Sequence, residues 1–284
     1  MAGDPPKTPI LAGVAGHPVS HSLSPIIHTI WAKRVGIEGH YIPIDVPANY
    51  DDFVRAMDAL RAVGFAGVNV TIPHKEHALR YAGEASETAK AAGAANMLTF
   101  SDDSAKAENS DITGFAEAVQ EKTAEPGTSA LVLGAGGAAR GVVLALKDLG
   151  LTDIRITNRT LERAKELGAA FDLAVIDWEK RLETLENIDV LVNTTSLGMT
   201  GQPPLELDLS GLDPSALVAD IVYAPLKTAL LKDAEAKGHA TVDGLAMLMH
   251  QAVPGFRMWF GGEAIVDDDL RSELVKELKR RGRA

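Results

Sequence analysis

The apolar run Ser129–Leu133 passes without a spacer into Gly134-Ala135-Gly136-Gly137-Ala138-Ala139-Arg140, and a helical pattern follows. No other stretch restricts the possible folds so sharply. Gly134, Gly136 and Ala139 stand at the spacing of the G-x-G-x-x-G/A turn, in which each residue type has a task. Gly134 permits the tight turn. Gly136 has no side chain to hold a pyrophosphate away, and Ala139 lets the helix settle close to the strand. The helix start, with Gly137 and Ala138 in its first turn, offers free N–H groups and a positive dipole end to phosphate. The run therefore predicts a dinucleotide site at Gly134, Gly136, Gly137 and Ala138, inside a parallel βαβ unit.

The end of the following strand selects the nucleotide. A carboxylate there would hold ribose hydroxyls and repel a 2′-phosphate. This chain instead has Asn158-Arg159-Thr160, with Arg163 one helical turn further on. A guanidinium clamps phosphate with paired, charge-assisted hydrogen bonds, so NADP is the predicted cofactor, held by Asn158, Arg159, Thr160 and Arg163.

Short apolar runs alternate with helical stretches along most of the chain, as parallel βαβ units require. Ile10–Ala15, Tyr41–Val46 and Phe65–Ile72 read as strands, with helices over Ser24–Val35, Tyr50–Val63 and His74–Tyr81. Asp111–Lys122 reads as a helix before the breaker Pro126-Gly127. Asp153–Thr157, Asp189–Asn193 and Ala216–Val222 continue the strand series, and Leu245–Phe260 and Asp267–Arg281 read as closing helices. The 284 residues suit two domains. A net charge of −11 disfavours nucleic acid or an anionic membrane as partner. The absence of cysteine excludes disulfides, zinc–thiolate sites and thiol nucleophiles. Met1–Pro9 lacks the basic start and apolar run of a signal peptide, and no segment reaches the ~20 apolar residues of a membrane span, so a cytoplasmic location is expected. The cluster Lys279–Arg283 reads as a solvated helix end.

Three polar clusters lie outside the nucleotide unit. His17-Pro18-Val19-Ser20-His21-Ser22-Leu23-Ser24-Pro25 forms a loop opening a helix, with Ser24 read as its N-cap and Pro25 as its first residue. Asn69-Val70-Thr71-Ile72-Pro73-His74-Lys75 sits where a buried strand ends, the place where open α/β sheets bind ligands. Asn109-Ser110-Asp111 precedes the next helix. No histidine pair or carboxylate cluster forms a metal site, and His28 is expected to point into packing or solvent.

Together these stretches resemble the shikimate dehydrogenase family. The likeness runs in order through His21–Pro25, Asn69–Lys75, Gly93–Asn96, Asn109–Asp111, Gly134–Arg140, Asn158–Thr160, Asn193–Ser196, Asp220–Tyr223, Asp243–Leu245 and Gln251-Ala252. It implies an α/β, two-domain fold. An N-terminal α/β substrate domain, residues 1–111, is completed by the C-terminal helices of 245–284; a Rossmann-type NADP-binding domain spans 112–244, and the active-site cleft lies between the two. It implies reversible NADPH-dependent reduction of 3-dehydroshikimate to shikimate in the chorismate pathway. Ser22 and Ser24 are then expected on the substrate carboxylate, and Thr71, Asn96, Asp111 and Gln251 on the ring hydroxyls. Tyr223 lines the substrate side, Lys75 and Asp111 form the catalytic pair, and Gly244 and Met247 touch the nicotinamide. The partner is a small molecule, and a homodimer is the expected assembly. The chain departs from the family pattern at Met97, Ile112 and Ala246, none of which removes a reactive group.

Ketone reduction needs a hydride donor, a proton source and charge stabilisation at the carbonyl oxygen. Lys75 suits the last two tasks, as proton donor or as electrostatic stabiliser, with Asp111 holding it. Three alternatives stand beside this reading: a quinate or aminoshikimate dehydrogenase, a catalytically silent NADP-binding regulator, and a folate-linked dehydrogenase. The hydroxyls of Ser22 and Ser24 favour shikimate; retention of both Lys75 and Asp111 speaks against the silent regulator.

Overall fold

The structure, a computed structural model, describes residues 8–283; Met1–Lys7, on which most of the signal-peptide reading rests, and Ala284 lie outside the described residues. The chain divides into two compact units. Unit one runs through Ser110 and takes in Ala252–Ile265; unit two comprises Asp111–Gln251 and the residues from Val266 onward.

Unit one contains β1 (Ile10–Gly16), α1 (Ser24–Arg34), β2 (Gly39–Asp45), α2 (Tyr50–Ala62), β3 (Phe65–Val70), α3 (Lys75–Tyr81), β4 (Glu84–Ala85), α4 (Glu87–Ala92), β5 (Met97–Phe100) and β6 (Ala105–Glu108). The sheet order is β2-β1-β3-β5-β6-β4. β1 lies parallel to both β2 and β3, as the alternation predicts. β5, however, runs antiparallel to β3 and to β6, so this sheet is mixed rather than wholly parallel. Its hairpin closes over Ser101–Ser104, where Ser101 Oγ donates to the Ser104 carbonyl at 3.1 Å. α2 starts because Asn49 Oδ1 accepts the Asp52 N–H at 2.9 Å, and it sends Phe53 and Met57, one turn apart, into the core.

The start of α1 corrects the expected cap. Ser24 is the first helical residue and Leu23, with helical dihedrals, is the cap; the Ile26 and Ile27 N–H groups reach the Leu23 carbonyl at 3.0 and 3.2 Å. The cause is local: Ser22 Oγ already accepts the Ser24 N–H at 3.2 Å, so the turn closes one residue early.

Unit two contains α5 (Asp111–Gln120), β7 (Ser129–Leu133), α6 (Gly137–Asp148), β8 (Asp153–Asn158), α7 (Leu161–Phe171), β9 (Ala174–Asp177), β10 (Val190–Asn193), β11 (Leu217–Asp220), α8 (Ala229–Ala236), β12 (Ala240–Asp243) and α10 (Asp268–Arg280). Its sheet, β9-β8-β7-β10-β11-β12, is parallel throughout. Counted from β7, that order is 3-2-1-4-5-6, the doubly wound dinucleotide-binding arrangement. Both faces are covered. Ala130, Val132, Val190 and Val192 join one apolar cluster, and their neighbours Leu131, Leu133 and Leu191 join another.

The helix α9 (Gly244–Phe260) begins in unit two and ends in unit one. The expected division put both closing helices with the substrate domain; by compactness α10 groups with unit two instead. Arg271 of α10 is ion-paired to Asp243 at the end of β12, and Leu270, Leu274 and Leu278 are buried.

Candidate functional site

In unit two, β7 ends at a turn that needs glycine. Gly134 has φ +106°, and a Cβ there would lie 2.7 Å from Thr194 Oγ1. The turn is tied down by the Gly134 N–H to the Thr157 carbonyl and by the Thr194 hydroxyl to the Leu133 carbonyl, both at 2.8 Å. Gly136 and Gly137 follow, both exposed, and a Cβ built on either meets nothing within 4 Å. The protein's own packing therefore does not demand glycine at these two positions. They leave the start of α6 bare, which is what close approach of a pyrophosphate requires, so the residues present fit the predicted nucleotide. Ala138 is half-buried in the first turn, and Ala139 is buried against the sheet.

β8 ends beside this turn. Asn158 Nδ2 donates to the Thr160 carbonyl at 2.9 Å, bracing the loop that carries Arg159. Arg159, Thr160 and Arg163 are exposed, and Thr160 caps α7 without a side-chain bond to it.

A buried carboxylate holds the neighbouring strand ends. Asp220, 2% exposed, accepts from Asn193 Nδ2 at 3.0 Å, from the Val222 N–H at 3.0 Å and from the Thr228 hydroxyl at 2.7 Å. Burial pushes its pKa up to about 6 against these bonds. Asn193 in turn accepts from the Thr195 N–H at 3.0 Å and from its hydroxyl at 2.7 Å, so one network sets the loops after β10 and β11. Tyr223 follows on the second loop, its hydroxyl pKa raised by burial against the lowering pull of Arg281 and Arg283. Gly244 opens α9 so close to the Ile221 and Val222 backbone that a Cβ would overlap the Ile221 carbonyl, and Met247 is buried one turn on. Asp243 caps this helix, accepting the Ala246 N–H at 3.0 Å.

Also in unit two, α5 and α9 meet at Gly114, where a Cβ would stand 2.6 Å from Gln251 Cβ. Asp111 lies three residues before Gly114, so Asp111 and Gln251 come to the same region; both are nearly buried, at 6% and 8% exposure.

In unit one, five predicted residues collect at one end of the sheet. Gly16 at the end of β1 lets Thr71 pass, since a Cβ would strike the Thr71 side chain. The His17 N–H donates to the Ile72 carbonyl at 3.0 Å and the Thr71 N–H to the Ala15 carbonyl at 2.9 Å, which ties the serine loop to the Thr71–Lys75 loop. Lys75 starts α3, half-buried, and its carbonyl accepts the Ala95 N–H at 2.9 Å. The next residue, Asn96, is 2% exposed; its Oδ1 accepts the Ser110 N–H at 2.7 Å and its Nδ2 donates to Ser110 Oγ at 3.0 Å. Ser22 is half-buried and Ser24 buried.

His28 is a packing residue, stacked on Tyr41 with its pKa lowered by burial to about 3. His74 Nε2 lies 2.9 Å from the Val46 carbonyl. Met97, Ile112 and Ala246, the departures from the family pattern, are all core residues. Among the described residues no group of metal-binding side chains occurs, and no helix is long and apolar enough to cross a membrane. Reading the sequence missed Tyr41, which hydrogen-bonds to Asn69, and the tasks of Asp220 and Asp243. The available signal for Asp220 was a carboxylate closing an otherwise apolar strand.

Comparison with known proteins agrees with this layout. Residues 14–98 match the family described as shikimate dehydrogenase substrate binding domain, and residues 116–199 match shikimate / quinate 5-dehydrogenase. The NADP(+) shikimate dehydrogenase of Jannaschia sp. (strain CCS1) is 48% identical over 273 residues, 93% of this chain and 97% of that protein. Shikimate 5-dehydrogenase from Thermus thermophilus, solved with NADP(H) and shikimate, superposes with a TM-score of 0.85 at 34% identity, covering 94% of this chain and 99% of that one. Quinate dehydrogenase from Corynebacterium glutamicum, solved with NAD, reaches 0.87 at 30% identity, with 94% and 99% covered.

Proposed function

The chain belongs to the shikimate dehydrogenase family, and on that premise we propose that it interconverts 3-dehydroshikimate and shikimate with NADP(H), in the pathway to chorismate. The observation that carries the substrate assignment is the gathering of Ser22, Ser24, Thr71, Lys75 and Asn96 at one end of the unit-one sheet. Hydroxyls and amides in that number suit a small polyhydroxylated acid. Ser22 and Ser24 take its carboxylate; Thr71, Asn96, Asp111 and Gln251 take its ring hydroxyls, and Tyr223 lines the same ligand.

Gly134, Gly136, Gly137 and Ala138 hold the pyrophosphate of NADP(H), while Asn158, Arg159, Thr160 and Arg163 hold its 2′-phosphate end. Gly244 and Met247 lie against the nicotinamide, which when bound supplies or accepts the hydride. Lys75 acts at the substrate oxygen: in reduction it stabilises the charge growing there and delivers the proton that completes the alcohol. In oxidation it takes that proton back. Asp111 holds the ammonium in place. The ketone thus gains two electrons with the hydride and one proton from the protein side.

Quinate is the second reading, favoured by the close superposition on a quinate dehydrogenase. Following nicotinamide absorbance near ~340 nm with shikimate and quinate, each against NADP and NAD, decides between them. The proposal requires the highest kcat/KM for shikimate with NADP. A higher value for quinate would replace the substrate, and no turnover with either would overturn the reading.

A further inference from the structure

The loop after β11, Tyr223–Lys227, is closed at both ends by one side chain. Asp220 Oδ1 accepts the Val222 N–H at 3.0 Å, just before the loop, and Oδ2 accepts the Thr228 hydroxyl at 2.7 Å, just after it. A third bond, from Asn193 Nδ2 to Oδ1 at 3.0 Å, ties the same carboxylate to the end of β10. The protons balance at every member. Asn193 gives its other amide proton to the Leu197 carbonyl at 3.2 Å. Thr228 accepts the Leu231 N–H at 3.3 Å while its own proton goes to Asp220. Asn193, Asp220 and Thr228 are 0–2% exposed, so water does not compete for these bonds.

The two loops joined in this way border different parts of the nucleotide site. The loop after β10 starts at the glycine turn, where the Thr194 hydroxyl holds the Leu133 carbonyl. The loop after β11 carries Tyr223, and the residues that lead into it, Ile221 and Val222, form the wall against which Gly244 starts α9. The loops also bond to each other, the Thr200 N–H donating to the Ala224 carbonyl at 2.8 Å. Asp220 bonds to Asn193, Val222 and Thr228, none of which is assigned to a ligand.

We propose that Asp220 is a positioning residue for the nicotinamide end of the cofactor. By closing the Tyr223 loop and tying it to β10, it sets how far the Gly244 wall stands from the pyrophosphate turn. The proposal rests on the cofactor assignment given above. Hydride transfer is sensitive to that distance, since a misplacement of about 1 Å can cost about a hundredfold in rate. The adenosine end, assigned to the loop after β8, does not sense it.

Asp220→Ala removes all three bonds. The expected result is a kcat for shikimate, at saturating NADP, lowered about ten- to hundredfold. Adenosine 2′,5′-bisphosphate carries the 2′-phosphate and lacks the nicotinamide. By titration calorimetry it should bind the variant within about twofold of wild type and at unchanged stoichiometry, whereas a general loss of structure lowers the stoichiometry. Asp220→Asn keeps the acceptor for Asn193 and Val222 and should restore kcat to within about threefold of wild type. Thr228→Val cuts only the bond after the loop; it should lower kcat about threefold or more, again with unchanged bisphosphate binding, which keeps the test open should Asp220→Ala fail to fold. A wild-type protein that neither binds the bisphosphate nor turns over shikimate or quinate overturns the cofactor reading, and this proposal with it. With the wild type sound on both counts, three results overturn the role of Asp220 alone: near-normal kcat in Asp220→Ala or Thr228→Val, bisphosphate binding lost in parallel with kcat, or no rescue by Asp220→Asn.

Discussion

Arg271 on α10 grips Asp243, the carboxylate that also caps the first turn of α9. One guanidinium nitrogen lies 3.2 Å from Asp243 Oδ1, a second bonds Oδ2, and the Asp243 side chain is only 7% exposed. Removing Arg271 leaves that charge nearly buried and without its cation, although the arginine's own partial exposure limits the loss. Arg271→Ala is expected to destabilise the protein by about 1–3 kcal/mol, read from the urea midpoint at unchanged slope. A shift below about 0.5 kcal/mol would show the pair to be an ordinary surface contact.

Gly136 separates folding from cofactor binding. Because a Cβ there meets no protein atom within 4 Å, Gly136→Ala should leave the melting temperature of the cofactor-free protein within about a degree. It should nevertheless weaken NADP at least about tenfold if the pyrophosphate is held at this turn as proposed, since the added methyl group would obstruct its approach. Unchanged NADP affinity by titration calorimetry would move the phosphates away from this turn.

Arg159 is the expected selector of NADP over NAD. Arg159→Asp replaces a clamp with a repelling charge, and the ratio of kcat/KM for the two cofactors should fall by about a hundredfold or more. An intact ratio would pass the role to Arg163 or Arg140.

For the chemical step, Lys75→Ala should lower kcat and kcat/KM together by roughly two to four decades, corresponding to ~3–5 kcal/mol at the transition state. Lys75→Ala/Asp111→Ala should be far from additive if the two act as the proposed pair. Independent small losses, with folding and NADP binding intact, would dissolve the pair.

Asp220 makes stability depend on pH in an unusual direction for an aspartate. Its folded pKa of about 6 lies above the ordinary value of 3.8. Its contribution is therefore full below about pH 4 and is lost as pH rises through 6. Asp220→Asn presents the same acceptor to Asn193 and Val222 and an N–H toward Thr228, mimicking the protonated acid. The variant should remove a decline of at most about 3 kcal/mol between pH 4 and 6, at 1.36 kcal/mol per unit. Denaturant titrations across that range should diverge as pH rises, with the variant the more stable above pH 6. Parallel curves would show that Asp220 does not titrate there.

Legibility in the sequence followed the physics of each segment. β7 and the glycine turn were readable to the residue, because a strand buried on both faces is an unbroken apolar run and Gly134 has a conformation few other residues tolerate. The β5–β6 hairpin escaped: four-residue strands carry too little alternation to announce themselves, and β6 (Ala-Lys-Ala-Glu) has weak strand propensity. The cap of α1 was misplaced because Ser24 before Pro25 fits a capping pattern, while the competing acceptor, Ser22 Oγ, is visible only in three dimensions. Lys75, Asp111 and the serines were singled out through family likeness, and their roles rest on the experiments above. Tyr41 was not, since an apolar position in a strand gives no hint that its hydroxyl will meet Asn69.

The passage of α9 from one unit to the other has a consequence for how the protein is made. Unit one is not finished when Ser110 leaves the ribosome. Trp31 Nε1 still waits for the Ile265 carbonyl, which it meets at 2.8 Å, and Thr99 Oγ1 waits for Trp259 Nε1 at 3.1 Å. At roughly 5–20 residues per second, the whole intervening stretch takes on the order of ten seconds to emerge. Throughout that interval the nascent N-terminal portion carries an uncovered aromatic face around His28, Trp31 and Tyr41. No contiguous N-terminal fragment can stand in for the whole of unit one, and a ribosome stalled before residue 252 holds a chain suited to chaperone capture.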